Sequence, residues 1–161
     1  MTLDKRAFRD CLGCFVTGIT IVTSVSGEGE HVGLTVNSFN SVSLEPPMVL
    51  FSLDRQALSL PIFEAAGRFA VNVLSDHQEP LSNRFARREI DKWDGVGFIE
   101  GETGCRLLDG TMAAFDCKTY AQYDGGDHVI VVGQVIDMRL DQAAEPLVFY
   151  KGAYNSLSAV A

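Results

Sequence analysis

Two long runs of strand-forming residues, Ala114 to Tyr123 and Val129 to Leu140, are joined by the turn Asp124-Gly125-Gly126-Asp127. Glycine supplies the positive φ that a tight hairpin turn needs, and aspartate tolerates the positions around it. The two runs therefore pair as adjacent antiparallel strands. The same logic applies nearer the N-terminus, where residues 18–26 (GITIVTSVS) and 31–38 flank Gly27-Glu28-Gly29-Glu30. Two hairpins in so short a chain argue against a strictly alternating β-α-β order, whose parallel strands each need a long crossover.

The other segments fit around these hairpins. Leu3, Ala7, Phe8, Cys11 and Leu12 recur at helical spacing and predict a helix over 3–14. Ser43-Leu44-Glu45-Pro46-Pro47 reads as a stop, and Met48 to Leu53 as a strand apolar enough to be buried on both faces. Residues 57–66 predict a helix with Ser59 as N-cap and Pro61 in its first turn. Arg68 to Leu74 alternates as a strand, and 76–90 reads as a helix capped by Asp76. The four glycines of 94–104 predict a loop, Leu107 to Ala114 a short strand or turn, and Leu147 to Tyr150 a last strand. About seven strands and three helices, the strands mostly neighbours in sequence, predict an antiparallel sheet closed into a barrel with helices as covers. The expectation is a mainly β, single-domain chain over 1–161, with the barrel at about 18–151.

Composition bounds the function. At 161 residues, 47% hydrophobic and 21% charged, the chain buries about two-thirds of its surface and needs no staples. Its formal net charge of -8 opposes non-specific binding to nucleic acid or to anionic membrane. The start, MTLDKRAFRDCLG, is too charged for a secretion signal, and Cys11 to Gly27 is too polar to span a membrane, so a cytoplasmic protein is expected. In that reducing setting Cys11, Cys14, Cys105 and Cys117 are free thiols. Cys11-Leu-Gly-Cys14 lacks the second pair that zinc would want, and reads as two packed, inert thiols.

Several common sites are missing. No G-x-G-x-x-G joins a strand to a helix, and there is no P-loop, H-E-x-x-H or G-x-S-x-G. His31, His77 and His128 are isolated in sequence and form no metal-ligand spacing. Three local features remain. Thr35-Val36-Asn37-Ser38-Phe39-Asn40-Ser41 gathers small hydroxyl and amide groups at a strand end, where they suit the polar edge of a heteroaromatic ring or simply cap a turn. Arg84, Arg87, Arg88 and Lys92 form a cationic patch in an acidic chain. On one helix the three arginines share a face, which could hold a phosphate or pair with Glu89 and Asp91 in solvent. Gly126-Asp127-His128-Val129 puts a histidine at a barrel mouth with an aspartate to orient it; the plainer reading is a turn histidine with satisfied hydrogen bonds.

Taken in order, five stretches resemble the flavin reductase family of the FMN-binding split barrel. They are FRDCLGCFVTGITIVTS (8–24), GLTVNSFNSVSLEPPMVLFSL (33–53), GRFAVNVLSDHQEPLSNRFA (67–86), GGDHVIVVGQV (125–135) and PLVFYKGAY (146–154). The resemblance covers about residues 5–158. It implies a six-stranded antiparallel Greek-key split β-barrel with a few covering helices, assembled as a homodimer. It also implies NADH- or NADPH-dependent reduction of FMN or FAD, with reduced flavin handed to a separate oxygenase component. By motif position, Thr35, Val36, Asn37, Ser38, Ser41, Ser52 and Leu53 would line the ring and ribityl chain. Ser59, Arg84, Phe85, Arg87 and Arg88 would approach the phosphate. Asp127 and His128 would face the nicotinamide, with His128 polarising or orienting it and Tyr154 closing that side. Cys14 stands where many relatives carry arginine. No metal is implied. The alternatives are a flavin storage or sensor protein without turnover, and a split-barrel oxidase of the pyridoxamine phosphate type.

Overall fold

A computed structural model describes residues 3–88 and 91–157. A short helix α1 (Lys5–Leu12) leads into β1 (Thr17–Gly18), β2 (Thr20–Val25), β3 (His31–Val36), β4 (Asn40–Leu44) and β5 (Pro47–Asp54). Helix α2 (Leu60–Ala66), β6 (Arg68–Val73), a 3-10 turn (Asp76–Gln78) and α3 (Glu79–Phe85) follow. The chain then forms β7 (Phe98–Glu100), β8 (Arg106–Leu108), β9 (Ala113–Gly125), β10 (His128–Leu140), β11 (Val148–Tyr150) and β12 (Ala153–Asn155).

The main sheet runs β3-β2-β6-β9-β10-β5-β4, every neighbouring pair antiparallel. Its first six members are the expected barrel strands, and β4 folds back on β5 as a seventh. Because β3 and β4 end the sheet without pairing each other, the barrel is split along that seam. Strands β1, β11 and β12 form a separate small sheet, and β7 pairs with β8.

Burial explains the curl. Phe51 of β5, Phe69 of β6 and Val131 of β10 are fully buried together with Phe63 of α2. The Phe51 ring meets Phe63 edge-on at 5.8 Å and Phe69 at 4.9 Å, an arrangement that suits the ring quadrupoles. Gly133 is required where β10 crosses this layer, since a Cβ there would clash with the Phe69 ring and lie 3.1 Å from the Cys117 Cβ. A second cluster of Ile21, Leu74, Phe85 and Leu147 seats α3. In the long hairpin β9 runs two residues further than expected and β10 begins one residue earlier, leaving a two-residue loop. Gly126 takes φ +79° at its first position.

Several expectations are corrected. The stop at 43–47 is itself part of a hairpin, β4 and β5 joined at Glu45-Pro46. Strand β5 is not buried on both faces but alternates buried and half-buried residues, because one face looks into the barrel. The 76–90 helix ends at Phe85, and Ser75 rather than Asp76 caps its start. The Ser75 N–H donates to Gln78 Oε1 at 3.0 Å in a capping box; Glu89 and Ile90 lie outside the described residues. The 94–104 loop contains β7, and β12 follows the expected last strand. Cys11 and Cys14 are exposed rather than packed, because no residue of α1 is buried against this chain. Cys105 and Cys117 are the packed pair, and burial pushes the Cys105 thiol up to about 11 and that of Cys117 higher. Among the described residues no helix is long and apolar enough to cross a membrane.

Candidate functional site

As the end strand of the sheet, β3 has one edge with no strand partner among the described residues. In an antiparallel pair, residues alternate between both backbone groups pointing at the neighbour and both pointing away. The outward set is His31, Gly33 and Thr35. The His31 carbonyl accepts from Trp93 Nε1 at 3.1 Å, and the Gly33 carbonyl accepts from Lys92 Nζ at 3.1 Å. Lys92 also donates to the Phe85 carbonyl at 2.9 Å. Side chains from the 91–93 stretch thus satisfy the outward carbonyls of His31 and Gly33, while the N–H groups of the same residues lie on the same edge.

A cleft of about 450 Å³ runs along this edge. Strand β3 forms one wall, the 54–59 stretch another, and residues 85–88 with 91–93 a third. Its volume falls in the range of small-molecule sites. Gly33 is needed here, since a Cβ would lie 2.7 Å from the buried Phe85 ring. Arg87, Arg88 and Lys92 line the cleft together with Glu30, Asp54 and Asp91, so the local charge is balanced in a chain of net charge -8. Burial pulls the Lys92 ammonium below its usual range. Burial and then the Arg106 guanidinium do the same to His31, whose Nδ1 is buried without a partner.

The segment after β3 is fixed by one serine. Ser38 Oγ accepts the Ser52 N–H at 2.9 Å and donates to the Ser52 carbonyl at 3.1 Å, stitching the 37–39 stretch to β5. Leu53, expected to line the flavin, is the next residue on β5 and is fully buried in the core, paired with Val129 of β10, so it is closed to a ligand. Thr35 Oγ1 donates to the Ser82 carbonyl at 2.6 Å and ties β3 to α3. Ser82 Oγ lies 2.8 Å from the Tyr154 hydroxyl, which also donates to Asn83 Oδ1 at 3.3 Å. Tyr154 therefore joins Thr35 through one buried serine.

The hairpin turn is anchored by Arg55. Its Nε donates to the Gly126 carbonyl at 2.9 Å, its Nη2 pairs with Asp124 at 2.6 Å, and its own N–H donates to the Asp127 carbonyl at 3.0 Å. The hydrogen bond from Arg55 pulls the Asp124 carboxyl below the usual range. His128 Nδ1 lies 2.7 Å from Asp127 Oδ1, and that hydrogen bond lowers the Asp127 carboxyl. An ionised carboxylate only accepts, so Nδ1 carries the proton and Nε2 is left for a ligand. The His128 side chain is 42% exposed.

The expected site residues therefore fall into connected groups. Thr35, Ser59, Phe85, Arg87 and Arg88 line the cleft. Ser59 precedes α2 without making a side-chain capping bond. Ser38 is bonded to Ser52, Asp127 to His128, and Tyr154 to Ser82. Val36, Asn37 and Ser41 lie on or beside the stitched segment, outside the cleft lining. Arg84 departs from the group. With α3 ending at Phe85 the three arginines do not share one helical face; Arg84 donates to the Asp94 carbonyl at 2.6 Å and lines a separate depression with His77 and Asp109. Arg55, Ser82, His31 and Trp93 went unread in the sequence. Each acts through a partner distant along the chain, and no local pattern marks them.

The sequence pattern of the family described as "Flavin reductase like domain" matches residues 12–158. The chain is 39% identical over 158 residues to a flavin reductase of Pseudomonas putida, covering 98% of this chain and 93% of that protein. It is 41% identical over 157 residues to the reductase subunit HsaB of a flavin-dependent monooxygenase of Mycobacterium tuberculosis, covering 96% and 83%. The solved NADH:FAD oxidoreductase SgcE6 of Streptomyces globisporus C-1027 superposes with a TM-score of 0.92 at 36% identity, covering 100% of this chain and 99% of that one. A second structure of the same oxidoreductase contains NAD and FAD fragments. With nearly its whole length matched in both sequence and fold, the chain belongs to the flavin reductase-like domain family.

Proposed function

We propose that this protein is an NAD(P)H-dependent flavin reductase, transferring a hydride from NADH or NADPH to FMN or FAD and releasing reduced flavin to a partner monooxygenase. The observation that carries the reading is the ligand-sized cleft on the open edge of β3, lined by Thr35, Ser59, Arg87 and Arg88, in a chain of this family. Those residues fit a flavin. A rigid polar segment at 35–41 suits the ring edge, and a hydroxyl with two guanidiniums suits a phosphate.

Bound flavin supplies the two-electron acceptor chemistry. The chain's residues do the positioning. Ser38 and Ser52 hold the 37–39 backbone still, so donors are already aimed where negative charge develops on reduction. Asp127 fixes the tautomer of His128, whose Nε2 orients the nicotinamide carboxamide. Arg55 keeps that turn in place. The reaction needs neither nucleophile nor general base from the protein, which accords with a sequence lacking the usual hydrolytic motifs.

Two further features complete the proposal. Phe8, Leu12, Phe15 and Val16 are exposed on and just after α1, an apolar surface that supports a homodimer of this single domain. A reaction that draws on NADH or NADPH supports a cytoplasmic site of action. The test is oxidation of NADH and NADPH by the purified protein with and without FMN or FAD. Flavin-dependent turnover is expected, and none with any pairing would refute the reading.

A further inference from the structure

The cleft extends well past the groups that a flavin phosphate needs. Along β3 it reaches from Thr35 to Glu30, five residue steps or roughly 16 Å of extended strand. Ser59, Arg87 and Arg88 line the same cleft and offer a hydroxyl and two guanidiniums. The far half is built differently, around His31 and Trp93. The Trp93 indole is held from several sides: Nε1 donates to the His31 carbonyl, and the ring meets His31, Phe85 and Phe98 edge-on. The Arg106 guanidinium lies 4.4 Å from the Trp93 ring centre and 3.9 Å from that of Phe98. An indole fixed in this way forms a preorganised aromatic wall rather than a mobile surface group. Beside it run the outward N–H groups of the β3 edge, and the His31 Nδ1 is buried with no partner.

A flat heteroaromatic group with hydrogen-bond acceptors on its rim, joined to an anion, matches this wall. The geometry points to an adenosine-phosphate subsite in the His31–Trp93 half of the cleft, which takes the adenosine monophosphate half of FAD and makes FAD the preferred flavin over FMN. This rests on the flavin reductase reading, since the phosphate end of the same cleft is where that reading places the flavin phosphate. Trp93 is then a specificity-determining residue and Arg106 the residue that positions it.

Adenosine phosphate also occurs in NADH, so the test separates the two sources. In the wild-type protein, kcat/KM is measured for FAD and for FMN at saturating NADH, then again with adenosine 5′-monophosphate added. FAD is expected to exceed FMN by about tenfold, the scale of one base–aromatic contact. Adenosine monophosphate should compete with FAD, raising its KM more than that of FMN. With FMN as acceptor, it should leave the KM for NADH unchanged. Trp93→Leu, checked for folding by circular dichroism, should cut the FAD to FMN ratio about tenfold. If that variant is unfolded, the wild-type competition decides alone. Equal kcat/KM for the two flavins, or competition against NADH rather than FAD, overturns the proposal. Turnover with neither flavin would instead refute the flavin reductase reading itself.

Discussion

Ser38 and Ser52 exchange two hydrogen bonds, the Ser38 hydroxyl accepting the Ser52 N–H at 2.9 Å and donating to the Ser52 carbonyl at 3.1 Å. One side chain thus takes the place of a strand partner at the split of the barrel, where no backbone ladder joins β3 to β5. Ser38→Ala leaves both Ser52 groups unpaired in a half-buried position. Chemical denaturation should show a loss of about 1–3 kcal/mol, and the flavin KM should rise severalfold because the 37–39 backbone loosens. An unchanged denaturation midpoint and flavin KM would contradict this role.

The Asp127–His128 pair predicts a separation of kinetic effects. Replacing His128 by Ala removes the group proposed to orient the nicotinamide, and kcat/KM for NADH should fall about tenfold, the scale of one hydrogen bond. Flavin binding, followed by fluorescence quenching, should persist. Asp127→Asn should shift catalysis in the same direction and by less, since it disturbs only the tautomer. A loss of flavin affinity with unchanged NADH kinetics would place His128 in a different role.

His31 carries a pH signature. Burial and then Arg106 lower its folded-state pKa below the ordinary histidine value of 6.5. The unfolded chain therefore binds the proton more readily, and stability rises with pH through this window. The contribution is fully present above the unfolded value and is lost as pH falls from there toward the folded one. Melting temperatures between about pH 5.5 and 7.5 should fall more steeply on acidification for wild type than for His31→Gln. Parallel curves would contradict the shift.

Gly133 tests the core. A methyl group there would meet the fully buried Phe69 ring and crowd Cys117. Gly133→Ala should cost about 1–3 kcal/mol by overpacking, read as a lower denaturation midpoint. An unchanged midpoint would mean that the layer between β10 and β6 relaxes freely.

Much of this architecture was legible because its signals are local. The Asp124 to Asp127 turn sets the longest strand pair, and Pro61 and Ser59 mark the start of α2 within a residue. The 35–41 segment and the Asp127–His128 pair announce themselves by composition. What escaped reading depends on distance along the chain. Arg84, Arg87 and Arg88 fit one helical face at i, i+3 and i+4, yet α3 stops at Phe85 and the last two arginines turn into the cleft. The apolar periodicity of α1 correctly gives a helix but not its surroundings, because none of its residues is buried against the rest of this chain. Arg55, Ser82 and Trp93 acquire their roles only through Gly126, Thr35 and His31, contacts of long sequence separation.

The most direct test of the proposed activity is an anaerobic mixture of the purified protein, excess NADH or NADPH and a large molar excess of FMN or FAD, followed by the loss of oxidised-flavin absorbance. A diffusible flavin reductase bleaches the whole flavin pool through many turnovers, at a rate that saturates with flavin concentration. Bleaching that stops at one flavin per protein, or none with any nucleotide and flavin pairing, would contradict it and favour a protein that only holds flavin.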